Sequence, residues 1–123
     1  MSQIATTIEQ SKKLIKLGLS ADTADMYYYN NDDIPQIISD IKSLKENINP
    51  KFYTLAWSLS ALIELMPKYL LNDDDEEFGL EIVTTYKNEY EVCYQELLPP
   101  IYNSSLFDAV FKMVCYLLEN KLI

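Results

Sequence analysis

Between Ser104 and Ile123 the chain reads SSLFDAVFKMVCYLLENKLI, and from Leu106 to Leu118 only Asp108 and Lys112 interrupt the apolar residues. With Glu119 these two fall close to one line on a helix of 3.6 residues per turn, which leaves a single narrow polar stripe on an otherwise apolar cylinder. A helix of this kind has to be covered on most of its sides, so the remaining chain must supply a surface to lay it on. Ser105 is the expected N-cap, with Asp108 three residues on in the capping-box position. Asp108 also precedes Lys112 by four residues, in the favourable acid-first order.

At 123 residues the chain has the length of a single domain, 1–123, able to bury about 60 to 70% of its unfolded surface. Hydrophobic residues at 49% and charged residues at 24% place it among ordinary globular chains. No apolar run approaches the roughly 18 residues of a membrane span, and MSQIATTIEQSKK lacks a basic start followed by an apolar stretch. A cytoplasmic location is the default expectation.

The inventory of side chains excludes much familiar chemistry. There is no His and no Arg, and Gly18 and Gly79 are the only glycines. The commonest general base and metal ligand, the bidentate phosphate clamp and the phosphate-cradling loop are all missing. Cys93 and Cys115 lie far apart without metal-ligand spacing and are expected to be small buried hydrophobes. No cofactor, metal or catalytic set is expected, and an enzyme would have to work with paired carboxylates or tyrosine.

The net charge of −9 is concentrated. From Asn72 to Glu96, nine acids (Asp73, Asp74, Asp75, Glu76, Glu77, Glu81, Glu89, Glu91 and Glu96) face Lys87 alone, a local balance of −8. That argues against nucleic acid or an anionic membrane as a partner. The run NDDDEE at 72–77 is expected to be a mobile surface loop. It lacks the alternating oxygens, central glycine and twelfth-position Glu of an EF-hand.

In chain order, Thr6 and Thr7 stand at capping-box spacing from Glu9 and Gln10, and open a helix that Gly18 ends, with Leu19 folding back over its last turn. Met26 to Tyr29 predicts a short strand, closed by Asn30 to Asp33. Apolar residues at 34, 37, 38, 41, 44 and 48 keep helical spacing and predict a helix over 34–48. LAWSLSALIELM, 55–66, predicts a core helix stopped by Pro67. Leu80 to Tyr86 and Tyr90 to Glu96 alternate like a β-hairpin. Pairing 86 with 90, 84 with 92 and 82 with 94 sets Leu80, Ile82, Thr84, Tyr86, Tyr90, Val92 and Tyr94 on one face, and leaves a three-residue loop, Lys87 to Glu89. The opposite face carries Glu81, Val83, Thr85, Glu91, Cys93 and Gln95, a mixture suited to solvent or a partner.

Three stretches, SKKLIKLGLSADTADMYY, AWSLSALIELMP and LFDAVFKMVCYLLENKLI, resemble a group of small uncharacterised proteins of gut Bacteroidetes genomes, often carried by phage or mobile elements. They cover roughly two fifths of the chain. The group has no established activity, so the resemblance transfers no functional residue. For residues 33–54 it implies extended chain rather than helix.

The expected fold is α+β in two layers: a small antiparallel sheet built on the hairpin, Met26 to Tyr29 as a candidate third strand, and two apolar helices covering one face. The expected function is a non-enzymatic protein-interaction module with an unassigned protein partner, self-association being left open. Tyr28, Tyr86, Tyr90 and Tyr94 are its candidate anchors. The alternatives are an acidic nucleic-acid mimic that presents Asp73 to Glu77, Glu81 and Glu91 to a basic host protein, and a carboxylate-based enzyme.

Overall fold

The computed structural model describes residues 3–30 and 32–123. It is an α+β fold, with four helices and eight strands in three antiparallel sheets among those residues. The chain divides into two compact units, Met1–Leu62 and Ile63–Ile123.

In the first unit, helix α1 (Ile8–Lys16) begins on Thr7, whose side chain accepts the Gln10 N–H while Gln10 reaches back to the Thr7 N–H. It ends with Gly18 at φ +99°. The Gly18 N–H donates to Ile15 and the Leu19 N–H to Leu14, which satisfies the last carbonyls and brings Leu19 into the core. Strands β1 (Met26–Tyr29), β2 (Gln36–Ile37) and β3 (Tyr53–Ala56) form a sheet in the order β2-β1-β3, on which α1 packs beside β3. Met26 and Tyr28 point inward with Ala5 and Ala56, and Tyr29 is exposed.

A buried polar network ties this unit's N-terminal segment to its sheet. The Thr6 N–H donates to the Trp57 carbonyl (2.8 Å), the Trp57 N–H donates to Thr6 Oγ1 (3.0 Å), and the Tyr28 hydroxyl donates to the Thr6 carbonyl (2.9 Å). Because Ser11 Oγ donates to the Thr7 carbonyl, the Thr6 hydroxyl must donate to Ser11 Oγ, 2.8 Å away. The fully buried Thr6 and nearly buried Ser11 are thus satisfied without water.

Two sequence expectations fail here for local reasons. The helix over 34–48 starts only at Ile41: Asp40 caps α2 (Ile41–Asn47) by accepting the Lys42 N–H, while Gln36–Ile37 pairs with β1. The helix over 55–66 likewise shortens to α3 (Leu59–Leu65). Ser58 is its cap, accepting the Ala61 N–H, and is itself held by Asp25, which accepts the Ser58 N–H (2.8 Å) and hydroxyl. The β-favouring Tyr53 and Thr54 then carry the preceding residues into β3, beside β1.

The second unit holds β4 (Tyr69–Leu71) paired with β5 (Glu77–Gly79), and a sheet of β6 (Glu81–Thr84), β7 (Tyr90–Cys93) and β8 (Ile101–Asn103) in the order β6-β7-β8. Helix α4 (Leu106–Glu119) starts on Ser105, whose side chain accepts the Asp108 N–H, and packs across β7 and β8. Phe107, Val110, Phe111, Met113, Val114 and Leu117 are buried, and Lys112 and Glu119 are exposed, as the apolar pattern requires. The third strand of the hairpin sheet is therefore β8, not Met26 to Tyr29. The latter sits between β2 and β3.

The hairpin register is two residues away from the expected one. Thr84 pairs with Tyr90, Val83 with Glu91, Ile82 with Val92 and Glu81 with Cys93. Since side chains alternate with a period of two, a two-residue slip keeps each residue on its face, so the apolar pattern could not choose between the registers. The turn chooses. The Thr85 side chain accepts the Lys87 N–H, the Thr85 carbonyl accepts the Asn88 N–H, and Asn88 takes φ +60°, which centres the three-residue loop on Tyr86 to Asn88.

Candidate functional site

The β6-β7-β8 sheet has one covered side and one that is open except at Cys93, which is buried. Val92 is fully buried and Ile82, Tyr90 and Ile101 are half-buried, which puts α4 on their side. The opposite side shows Val83, Glu91 and Tyr102 in one row across the three strands, with Val83 41% and Tyr102 50% exposed. Beyond the strand ends Tyr86 stands in the turn, 92% exposed. Thr84, Tyr86, Lys87, Glu89, Glu91 and Tyr102 line an open cleft of about 500 Å³ here.

Charge and aromatic rings meet in this cleft. The Tyr102 hydroxyl lies 3.5 Å from Glu91 Oε2, to which it donates. Desolvation, followed by the nearby Glu91 carboxylate, raises the Tyr102 hydroxyl above the ordinary phenol value and keeps it a donor. Lys87 Nζ lies 5.8 Å from the centroid of the Tyr86 ring, within cation–π range.

Of the four tyrosines expected to anchor a partner, the structure brings only Tyr86 to this open surface. Tyr90 is half-buried on the α4 side. Tyr28, 8% exposed, and Tyr94, fully buried, are core residues. Their hydroxyls are spent on the Thr6 carbonyl (2.9 Å) and the Pro67 carbonyl (2.7 Å). Burial raises both phenols, Tyr94 to about 12. Tyr28 and Tyr94 are thus corrected from anchors to structural residues. The face itself was legible, since Glu81, Val83 and Glu91 are the outer residues of the hairpin alternation. Tyr102 was missed because Pro99 and Pro100 hid the strand that follows them.

The acidic run is the surface loop expected: Asp73, Asp74, Asp75, Glu76 and Glu77 are exposed and form the turn and first strand residue between β4 and β5. Asn72 Oδ1 accepts the N–H groups of Asp74 (2.9 Å) and Glu76 (2.9 Å), and the Asn72 N–H donates to the Glu76 carbonyl (3.1 Å). Asp75, at φ +61°, takes the left-handed place that Asn88 takes in the other hairpin. Glu81 and Glu91 belong instead to the β6-β7 face.

Among the described residues no three His, Cys, Asp or Glu side chains converge as metal ligands. The Cys93 thiol is raised, chiefly by burial and further by Glu91 and Glu81, so it stays protonated and is a poor nucleophile. No helix among the described residues is long and apolar enough to cross a membrane. No protein-family model matches the chain, and neither a curated protein nor a solved structure shows significant similarity to it.

Proposed function

We propose that this chain is a non-enzymatic protein-interaction module, in the accessory role that its resemblance to mobile-element proteins implies, and that the open side of the β6-β7-β8 sheet receives the partner. The observation that carries this reading is the grouping of Val83, Tyr86 and Tyr102 on one uncovered surface, with Glu81, Glu89 and Glu91 around them. Scattered exposed apolar residues are ordinary; aromatic and aliphatic side chains gathered on one face, with a polar rim, are the composition of an interface. The cleft suits binding better than carboxylate catalysis. With Tyr86 standing 92% exposed at its border and Glu89 and Glu91 half-buried, the cleft is open to water and is not an enclosed apolar pocket.

The hydrogen-bonded turn from Asn72 to Glu76 supports a second reading, nucleic-acid mimicry, because it mounts its carboxylates on a hairpin. Affinity capture with extract of the source cells, at low and at physiological salt, separates the two. The interface reading expects a partner that is lost when Val83→Arg or Tyr102→Ala is introduced and kept when Asp73 to Glu77 become Asn and Gln. Mimicry expects capture that falls steeply with salt, as screening shortens the reach of exposed charges to about 8–10 Å, and that is lost when Asp73 to Glu77 become Asn and Gln. Capture indifferent to every one of these substitutions contradicts both.

A further inference from the structure

We propose that the cleft beside the Tyr86 to Asn88 turn accepts a cationic side chain, Lys or Arg, from a basic segment of the partner protein. This rests on the open sheet face being the interface and adds the chemistry that the face selects. The rings of Tyr86 and Tyr102 both line the cleft, and both are largely exposed in the free protein. An aromatic face attracts a cation through its quadrupole. The chain already demonstrates this for Tyr86, over which its own Lys87 ammonium lies at 5.8 Å.

The carboxylates supply the complementary charge. Glu89 and Glu91, two residues apart on one extended stretch, project to the same side and line the same cleft. They belong to the segment whose local balance is −8, so an approaching cation is steered before it makes contact. Other occupants fit poorly. A phosphate or carboxylate would meet two like charges, and a purely apolar side chain would desolvate Glu89, Glu91 and the Tyr102 hydroxyl while giving them no partner. A Lys or Arg side chain suits both rings and carboxylates at once, its charged end lying against ring surface and beside the carboxylates.

Lys87 has a definite place in this arrangement. It lines the cleft and holds one cation over Tyr86, so an incoming Lys or Arg competes with it for the same cleft. Removing its charge therefore strengthens binding rather than weakening it.

The test is calorimetric titration of the full chain with an acetylated, amidated peptide of alternating Lys and Gly, against the same peptide with Gln for Lys. The Lys peptide binds and the Gln peptide does not. Tyr86→Ala and Tyr102→Ala each weaken binding by about two- to fivefold, the scale of one exposed cation–π contact. Lys87→Gln tightens it, and Glu89→Gln with Glu91→Gln removes most of its salt dependence. In proton spectra of the complex, the Lys ε-methylene signals move upfield, as they must when held over a ring. Equal binding of the two peptides overturns the inference. So does a Lys-peptide affinity that ignores Tyr86→Ala and Tyr102→Ala, because it would reflect diffuse charge alone. If the Lys peptide fails to bind while partner capture still depends on Val83, the inference falls and the interface reading stands. If capture does not depend on Val83 or Tyr102, the interface reading falls.

Discussion

Tyr94 and Tyr86 lie eight residues apart and have opposite fates, and the difference is one of face and cover rather than residue type. Tyr94 continues the alternation of Tyr90 and Val92, the side of the sheet on which α4 packs, and it ends fully buried with its hydroxyl on the Pro67 carbonyl. The same alternation that makes a tyrosine conspicuous in a strand thus tends to place it on the covered side. Tyr86 escapes because it sits in the turn. Burial raises the Tyr94 phenol from 10.0 to about 12, and the core holds only its neutral form. A raised folded-state value means that the contribution of this group is complete below pH 10 and is lost as pH rises through 12. Alkaline unfolding followed by near-ultraviolet circular dichroism should therefore steepen across that window. Tyr94→Phe, which cannot ionise, should be less stable at neutral pH for want of the hydrogen bond to Pro67, and flatter across the same window. A wild-type protein indifferent to pH up to 12 would contradict the burial of Tyr94.

At the scale of elements, both ends of α1 and the start of α4 follow from sequence, because caps act locally: Thr7 with Gln10, Gly18, and Ser105 are sufficient signals by themselves. The misplaced helices lost their first turns to partners distant in sequence, β1 for residues 36–37 and 53–56, which no periodicity reveals. The two hairpin turns share one plan: Asn72 and Thr85 each cap the N–H two residues on, and Asp75 and Asn88 each take a positive φ. Neither turn contains the glycine that usually announces it. The C-terminus of α4 repeats the theme, with Lys121 at φ +56° and the Leu122 N–H donating to Leu117 at 2.8 Å. Urea melts should then show opposite effects at the two ends of this packing. Leu117→Ala, at a fully buried site, should cost about 2–5 kcal/mol. Lys121→Gly should gain up to about 1 kcal/mol by relieving the left-handed backbone. A loss below about 1 kcal/mol for Leu117→Ala would deny α4 its central part in the unit.

For the molecule as a whole, function depends on which surface is left open. Glu81, Val83 and Glu91 were legible as an outer face, and the apolar C-terminal helix as the cover of the other; that Tyr102 joins the row through β8 is a consequence of folding. The charge distribution was legible entirely, since it is read directly from residue order, whereas the acidic turn's hydrogen bonds depend on Asn72, whose capping role its place in the sequence does not announce. The account stands on the partner meeting the β6-β7-β8 face, and amide hydrogen exchange of the full chain with and without its captured partner measures this directly. The account predicts new protection in residues 81–91 and 101–103, including the Tyr86 to Asn88 turn, with little change in β1 or β3. Protection confined to the first unit, or to the β4-β5 turn alone, would contradict it.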